Sequence, residues 1–161
     1  MSKSLLVELM NTELPSISKQ KRKVYKTNKK EIHKLFDIIN IILFSGKLSR
    51  PKIDVKIRLP DCWGLCRGVR KPTKNKSGCE LVITQNHFCI QWLITILAHE
   101  MSHQYQWDII GLQRIKKGLT PFMSHGPTFY MHRKKFNKHQ IPLKRVIHNR
   151  IWFAKQNLLK C

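Results

Sequence analysis

Apolar residues recur at three- and four-residue steps from residue 30 to 45: Ile32, Leu35, Phe36, Ile39, Ile42 and Leu43. That stripe predicts an amphipathic helix. Asn28 stands at its N-cap position with Glu31 three residues on, the capping-box spacing, and Gly46 supplies a stop. The period then changes. Ile53, Val55 and Ile57 alternate with Asp54, Lys56 and Arg58, the signature of a half-buried strand. A turn at Pro60-Asp61 leads to a second strand over Trp63–Val69. Arg70–Gly78, rich in Lys, Pro, Asn and Gly, reads as a hairpin loop, and Cys79–Thr84 as the third strand. From Gln91 to Ile110 the chain is apolar almost all round (Trp92, Leu93, Ile94, Ile96, Leu97, Ala98, Met101), which predicts one long buried helix. Asn86 is its candidate cap and Gly111 its candidate stop. The first helix should lay its apolar face on this one. Strands and helices in segregated blocks define the α+β class, a small three-stranded sheet against a long helix with flanking helices.

Polar residues inside that buried helix change the picture. His99, Glu100 and His103 form H-E-x-x-H. Residues at i and i+4 lie one above the other, about 5–6 Å apart at Cβ, so both imidazoles can converge on one Zn²⁺ at about 2.0–2.1 Å. Glu100 is placed to reach a water there and act as general base without being a ligand. Without such partners, two imidazoles and a carboxylate in a buried helix are costly to desolvate.

A catalytic zinc site needs a third protein ligand and an open position. No Glu follows Glu100, so a downstream glutamate ligand is ruled out. Gln106 and Ile109 occupy the places where a metzincin has glycine and histidine. Asp108, five residues past His103, is swung about 140° around the helix. His125, His132, His139 and His148 remain. His125 is favoured because Gly126 permits a tight turn and Pro127 suits the first turn of a following helix. His132 and His139 read better as surface or partly buried histidines. Cys62-x-x-x-Cys66 lacks the second pair that a zinc site needs, and Cys66 and Cys79 are expected to point into the sheet core. Tyr105 and Tyr130 are the candidates for stabilising an oxyanion.

Two elements carry a resemblance. His99-Glu100-Met101-Ser102-His103 followed by His125-Gly126-Pro127-Thr128-Phe129 resembles the HEMxH and HGxxF pattern of SprT-like metallopeptidase domains, the Spartan/SprT family. Leu43-Phe44-Ser45-Gly46-Lys47-Leu48 is similar to that family's segment between first helix and first strand. The likeness spans roughly residues 30 to 140 and implies a zincin-like fold and a zinc peptidase. Its ligands would be His99, His103 and His125, with Glu100 as base. It also implies action on proteins crosslinked to DNA. The family's C-terminal zinc ribbon is not expected within residues 141–161, which hold a single cysteine, Cys161.

Charge bears on partners. Lys and Arg number 31 against 9 Asp and Glu, net +22, and no acidic residue follows Asp108. Such a field favours polyanions, nucleic acid first. Residues 1–29 read as a basic arm, 30–140 as the metallopeptidase domain, and 141–161 as a basic, loosely amphipathic tail. No secretory signal or membrane span is evident, and the five scattered Cys read as reduced thiols. An intracellular monomer without membrane association is expected, with DNA and DNA-bound proteins as partners. The alternative is a nucleic-acid-binding adaptor whose zinc site is structural or vestigial. A third possibility is a small lytic protease in which the charge serves only solubility.

Overall fold

The computed structural model describes Glu8 and residues 25–146. The expected basic arm up to residue 24 (Glu8 apart) and the tail helix beyond residue 146 lie outside that range. Eleven elements follow in chain order: β1 (Tyr25–Lys26), α1 (Lys29–Phe44), β2 (Lys52–Lys56), β3 (Gly64–Gly68), β4 (Cys79–Thr84) and β5 (Asn86–His87), then α2 (Ile90–Tyr105), a π-helical turn (Gln106–Ile110), α3 (Gly111–Ile115), α4 (Pro127–Tyr130) and α5 (Arg133–Lys138). The architecture is α+β.

The sheet order is β2-β4-β3, with β2 parallel and β3 antiparallel to the central strand. Every residue of β4 is buried, as its near-continuous apolar run requires. Cys66 and Cys79 do face the core, both as free thiols. The alternation in β2 stops early: Ile53 is buried, but the strand ends at Lys56 and Ile57 is 78% exposed. The β3–β4 connection is the expected hairpin, closed by the Thr73–Lys76 bridge.

Helix α1 begins where the capping signal lies, with Asn28 Oδ1 accepting from Glu31 N at 3.0 Å. The reciprocal half of the capping box is missing. Glu31's carboxylate instead accepts from the Tyr25 hydroxyl and, at 2.5 Å, from Thr27 Oγ1. Tyr25 lies on β1, which pairs antiparallel with β5, and Thr27 follows it with its N–H on Gln85 O at 2.8 Å, so the last residues of the expected basic arm are tied to the fold. At its other end Ser45 (φ 58) and Gly46 (φ 70) turn left-handed, and Gly46 N reaches back to Asn40 O at 2.9 Å. The buried Asn40 side chain then pairs with both main-chain groups of Leu48, at 2.8 and 3.1 Å. α1 packs on α2 as its stripe requires, Phe44 stacking on Tyr105 at 5.9 Å.

Two boundaries of the central helix differ from expectation. Asn86 belongs to β5, and the cap position falls at Cys89. Gly111 does not stop the helix, which runs through the π turn to Ile115. A Cβ on Gly111 would meet Pro121 Cβ at 2.8 Å, so glycine there admits the returning chain. The stop comes at Gly118, φ 72. Among the described residues no helix is long and apolar enough to cross a membrane.

His87, on β5, provides a test of this packing. It is 2% exposed, its Nε2 lies 2.7 Å from Thr84 O, and burial lowers its pKa from 6.5 to about 4. The unfolded chain therefore binds a proton that the fold refuses, so this stability is complete above about pH 6.5 and is lost as pH falls through about 4. The difference corresponds to about 3 kcal/mol. Urea unfolding in chelator between pH 7.5 and 4 should show a falling midpoint, and His87→Gln should make that fall shallower, the other buried histidines supplying the rest. An unchanged pH dependence in the variant would show that His87 is not desolvated.

Candidate metal centre

Helix α2 places His99 and His103 on one face, one turn apart. The chain then leaves the π turn and α3, loops back, and brings His125 over the same face just before Pro127 opens α4. Gly126 precedes that helix with φ −90, so no left-handed turn is used, although a Cβ would come within 3.2 Å of Ser124 Oγ. The structure brings together the three histidines named from sequence, their ligand atoms all within 4.8 Å of one another. His103 Nε2 lies 3.2 Å from His125 Nε2, and His125 Nε2 lies 3.3 Å from His99 Nε2. Two donors about 2.05 Å from one tetrahedral ion are separated by roughly 3.3 Å, so these separations suit a metal. Phe129, fully buried, lies against all three rings at 4.6–4.9 Å between centroids.

Burial sets the protonation of the donors. Desolvation lowers the pKa of His99 from 6.5 to about 3, with His103 and His125 adding to the shift and the Lys144 main chain opposing it. Desolvation also lowers His103, against the pull of Gln106, and lowers His125, where Arg145 contributes further. Neutral imidazoles, the form that ligates metals, are thus favoured.

Glu100 is not among the clustered donors. It lines the same cleft, buried under the edge of β3, and desolvation raises its pKa from 4.5 to about 8 while a main-chain hydrogen bond at Cys66 opposes. A divalent cation bound by the neutral imidazoles would likewise favour the ionised form. Gly64 makes this close approach possible: a Cβ there would meet Ile96 Cγ2 at 2.7 Å and Glu100 Cγ at 2.9 Å. The cleft measures about 410 Å³ and is walled by Asp61–Cys66, by Ile96 with the histidine face of α2, by Met123–His125, and by Arg145 and Val146.

Other candidates fall elsewhere. His132 is half-buried between the rings of Phe44 and Tyr105, at 5.1 and 4.6 Å; His139 stands at the end of α5, and His148 lies outside the described residues. Asp108 accepts from Gly78 N at 2.8 Å and Gln104 Nε2 at 2.9 Å, a structural role away from the cleft. Tyr105 and Tyr130 do not line the cleft. Tyr105 is buried against Phe44 and His132, and Arg133 stacks over the Tyr130 ring at 4.1 Å. Sequence reasoning passed over Gly64, Phe129 as a ring-packing residue, and Gln106, whose Oε1 lies 3.0 Å from His103 Nδ1. The helical i, i+3 step from His103 to Gln106 was the available signal.

No family model matches the chain, and no curated protein matches its sequence. The cleft's geometry therefore carries the functional argument.

Metal titration against a competing chelator should give one bound divalent ion per chain, lost in His99→Ala or His103→Ala. Gly64→Ala should destabilise the fold by about 1–3 kcal/mol, the usual effect of an added core methyl, as read by denaturant unfolding. A Gly64→Ala chain as stable as wild type would show that Glu100 is not pressed against β3.

Proposed function

We propose that the chain is a zinc-dependent metalloendopeptidase with a zincin-like, SprT-like domain, hydrolysing peptide bonds in proteins bound or crosslinked to DNA. One observation carries this reading: Glu100 is buried in the same cleft as three converging imidazoles without being one of the clustered donors. A structural metal site has no use for a carboxylate there and usually closes its fourth position with a protein ligand, which weighs against the adaptor alternative.

His99, His103 and His125 would hold the Zn²⁺. When bound, the ion supplies a Lewis acid and lowers the pKa of water from about 15.7 toward about 7. The chain's own residues do the rest. Glu100, hydrogen-bonded by the main chain at Cys66 and ionised by the field of the bound cation, would take a proton from the attacking water and deliver it to the leaving amine. Ile96, Trp63 and Met123 line the cleft beside it and give it apolar walls. Targeting follows from the net charge of +22: cationic contacts with phosphates would concentrate the enzyme on DNA, where bound proteins become substrates.

Glu100→Gln should lower the rate of cleavage of a DNA-bound protein by about 10²- to 10⁴-fold while leaving zinc content and DNA affinity unchanged. DNA affinity should fall linearly with the logarithm of salt concentration. Zinc-loaded wild type that cleaves neither itself nor a DNA-bound protein, with DNA present, would sink the peptidase reading. A flat salt response would remove DNA as the partner.

A further inference from the structure

We infer that Gln106 is the positioning residue of the metal centre: it fixes the tautomer of His103 and fastens the loop carrying His125 to the helix carrying the other two histidines. The inference rests on the preceding reading only in taking the three imidazoles as ligands of one ion.

Gln106 is fully buried in the π turn directly after α2. Its Oε1 lies 3.1 Å from the Ser124 main-chain nitrogen and 3.0 Å from His103 Nδ1, and its Nε2 lies 2.7 Å from Thr128 Oγ1. A main-chain N–H can only donate, so the amide atom facing Ser124 must be the oxygen. That oxygen has no hydrogen to offer His103. Nδ1 must therefore carry the proton, which leaves the Nε2 lone pair free, and Nε2 is the atom 3.2 Å from His125 Nε2. The other two contacts fall on either side of His125, at Ser124 before it and Thr128 after it. One amide thus sets the chemistry of one ligand and the place of another. Burial makes each contact consequential, because an unmet polar group there is left without water.

An amide is suited to the task, and its conservative replacement is informative. A glutamate can accept from both Ser124 N–H and His103 Nδ1–H, while the Thr128 hydroxyl turns to donate. A leucine of similar volume can make none of the contacts. Loss of such a partner commonly lowers metal affinity by about 10–100-fold.

The test uses the full chain with Zn²⁺ alone as ligand. Chelator competition should give Gln106→Leu an affinity about 10–100-fold below wild type, with Gln106→Glu restored to within a few fold. Independently, ¹⁵N NMR of the histidine side chains in metal-free wild type at pH 8 should show His103 protonated at Nδ1, and Gln106→Leu should show a mixture of tautomers. The wild-type spectrum decides the matter even if the leucine variant fails to fold. His103 protonated at Nε2 in wild type, or Gln106→Leu binding Zn²⁺ as tightly as wild type, would overturn the assignment. Wild type that takes up no Zn²⁺ would instead overturn the metallopeptidase reading, while the metal-free tautomer would still decide the role of Gln106.

Discussion

Three titratable side chains, His99, Glu100 and His103, lose much of their water on one face of a buried helix, where His125, partly buried, meets them from the returning loop. Charged forms are expensive in such a place, and much of the local structure can be understood as the response. The imidazoles are driven toward neutrality, with His99 lowered to about 3. Glu100 moves the other way, to about 8, and finds a main-chain donor at Cys66 on the edge of β3. That donor can come so near only because residue 64 is glycine, with no room for a Cβ between the strand, Ile96 and Glu100. The sheet edge is therefore part of the site, and a small change in how β3 sits on α2 would be felt first at the carboxylate.

The opposite face of the same helix keeps it from turning. Gln104 donates to Ser49 O at 2.8 Å and Asp108 Oδ2 at 2.9 Å, and Asp108 holds Gly78 N at 2.8 Å. These buried links join the helix to the start of β2 and to the β3–β4 hairpin. An α-helix turns about 100° per residue, so a modest rotation would carry His99 and His103 away from His125. Fixing the rotation on the far face leaves the near face free to carry chemistry. Trp107 adds a third constraint: its ring lies where a Cβ on Gly68 would sit, 2.4 Å away, and its Nε1 donates to Arg70 O at 2.9 Å.

What was legible in the sequence follows from range. Periodicity and capping act over a few residues, so α1 from Asn28 to Gly46, the core of β2 and the fully buried β4 could be read directly. H-E-x-x-H was readable for the same reason, since one helix turn joins its ends. Gly111 and Asn86 misled because their roles are tertiary: one makes way for Pro121, the other pairs with Lys26 across β1 and β5. Ile57 continued an alternation that the sheet had already ended. In the sequence Gln106 reads only as the wrong residue for a metzincin. Its role depends on Ser124 and Thr128, 18 and 22 residues away, and no local pattern announces that.

Under the proposed function, one further tension is resolved by distance. A chain of net charge +22 repels a divalent cation as surely as it attracts DNA, and Arg145 adds a positive charge to the cleft wall itself. Repulsion from exposed charges is screened over about 8 Å at physiological salt. Ligand lone pairs act at about 2 Å, well inside that distance. The broad field and the local chelate therefore operate on different length scales, the first selecting where the protein goes and the second what it can do there. Salt should weaken the first far more than the second, because buried donors are screened little. That difference separates a nucleic-acid-directed enzyme from one whose charge serves only solubility.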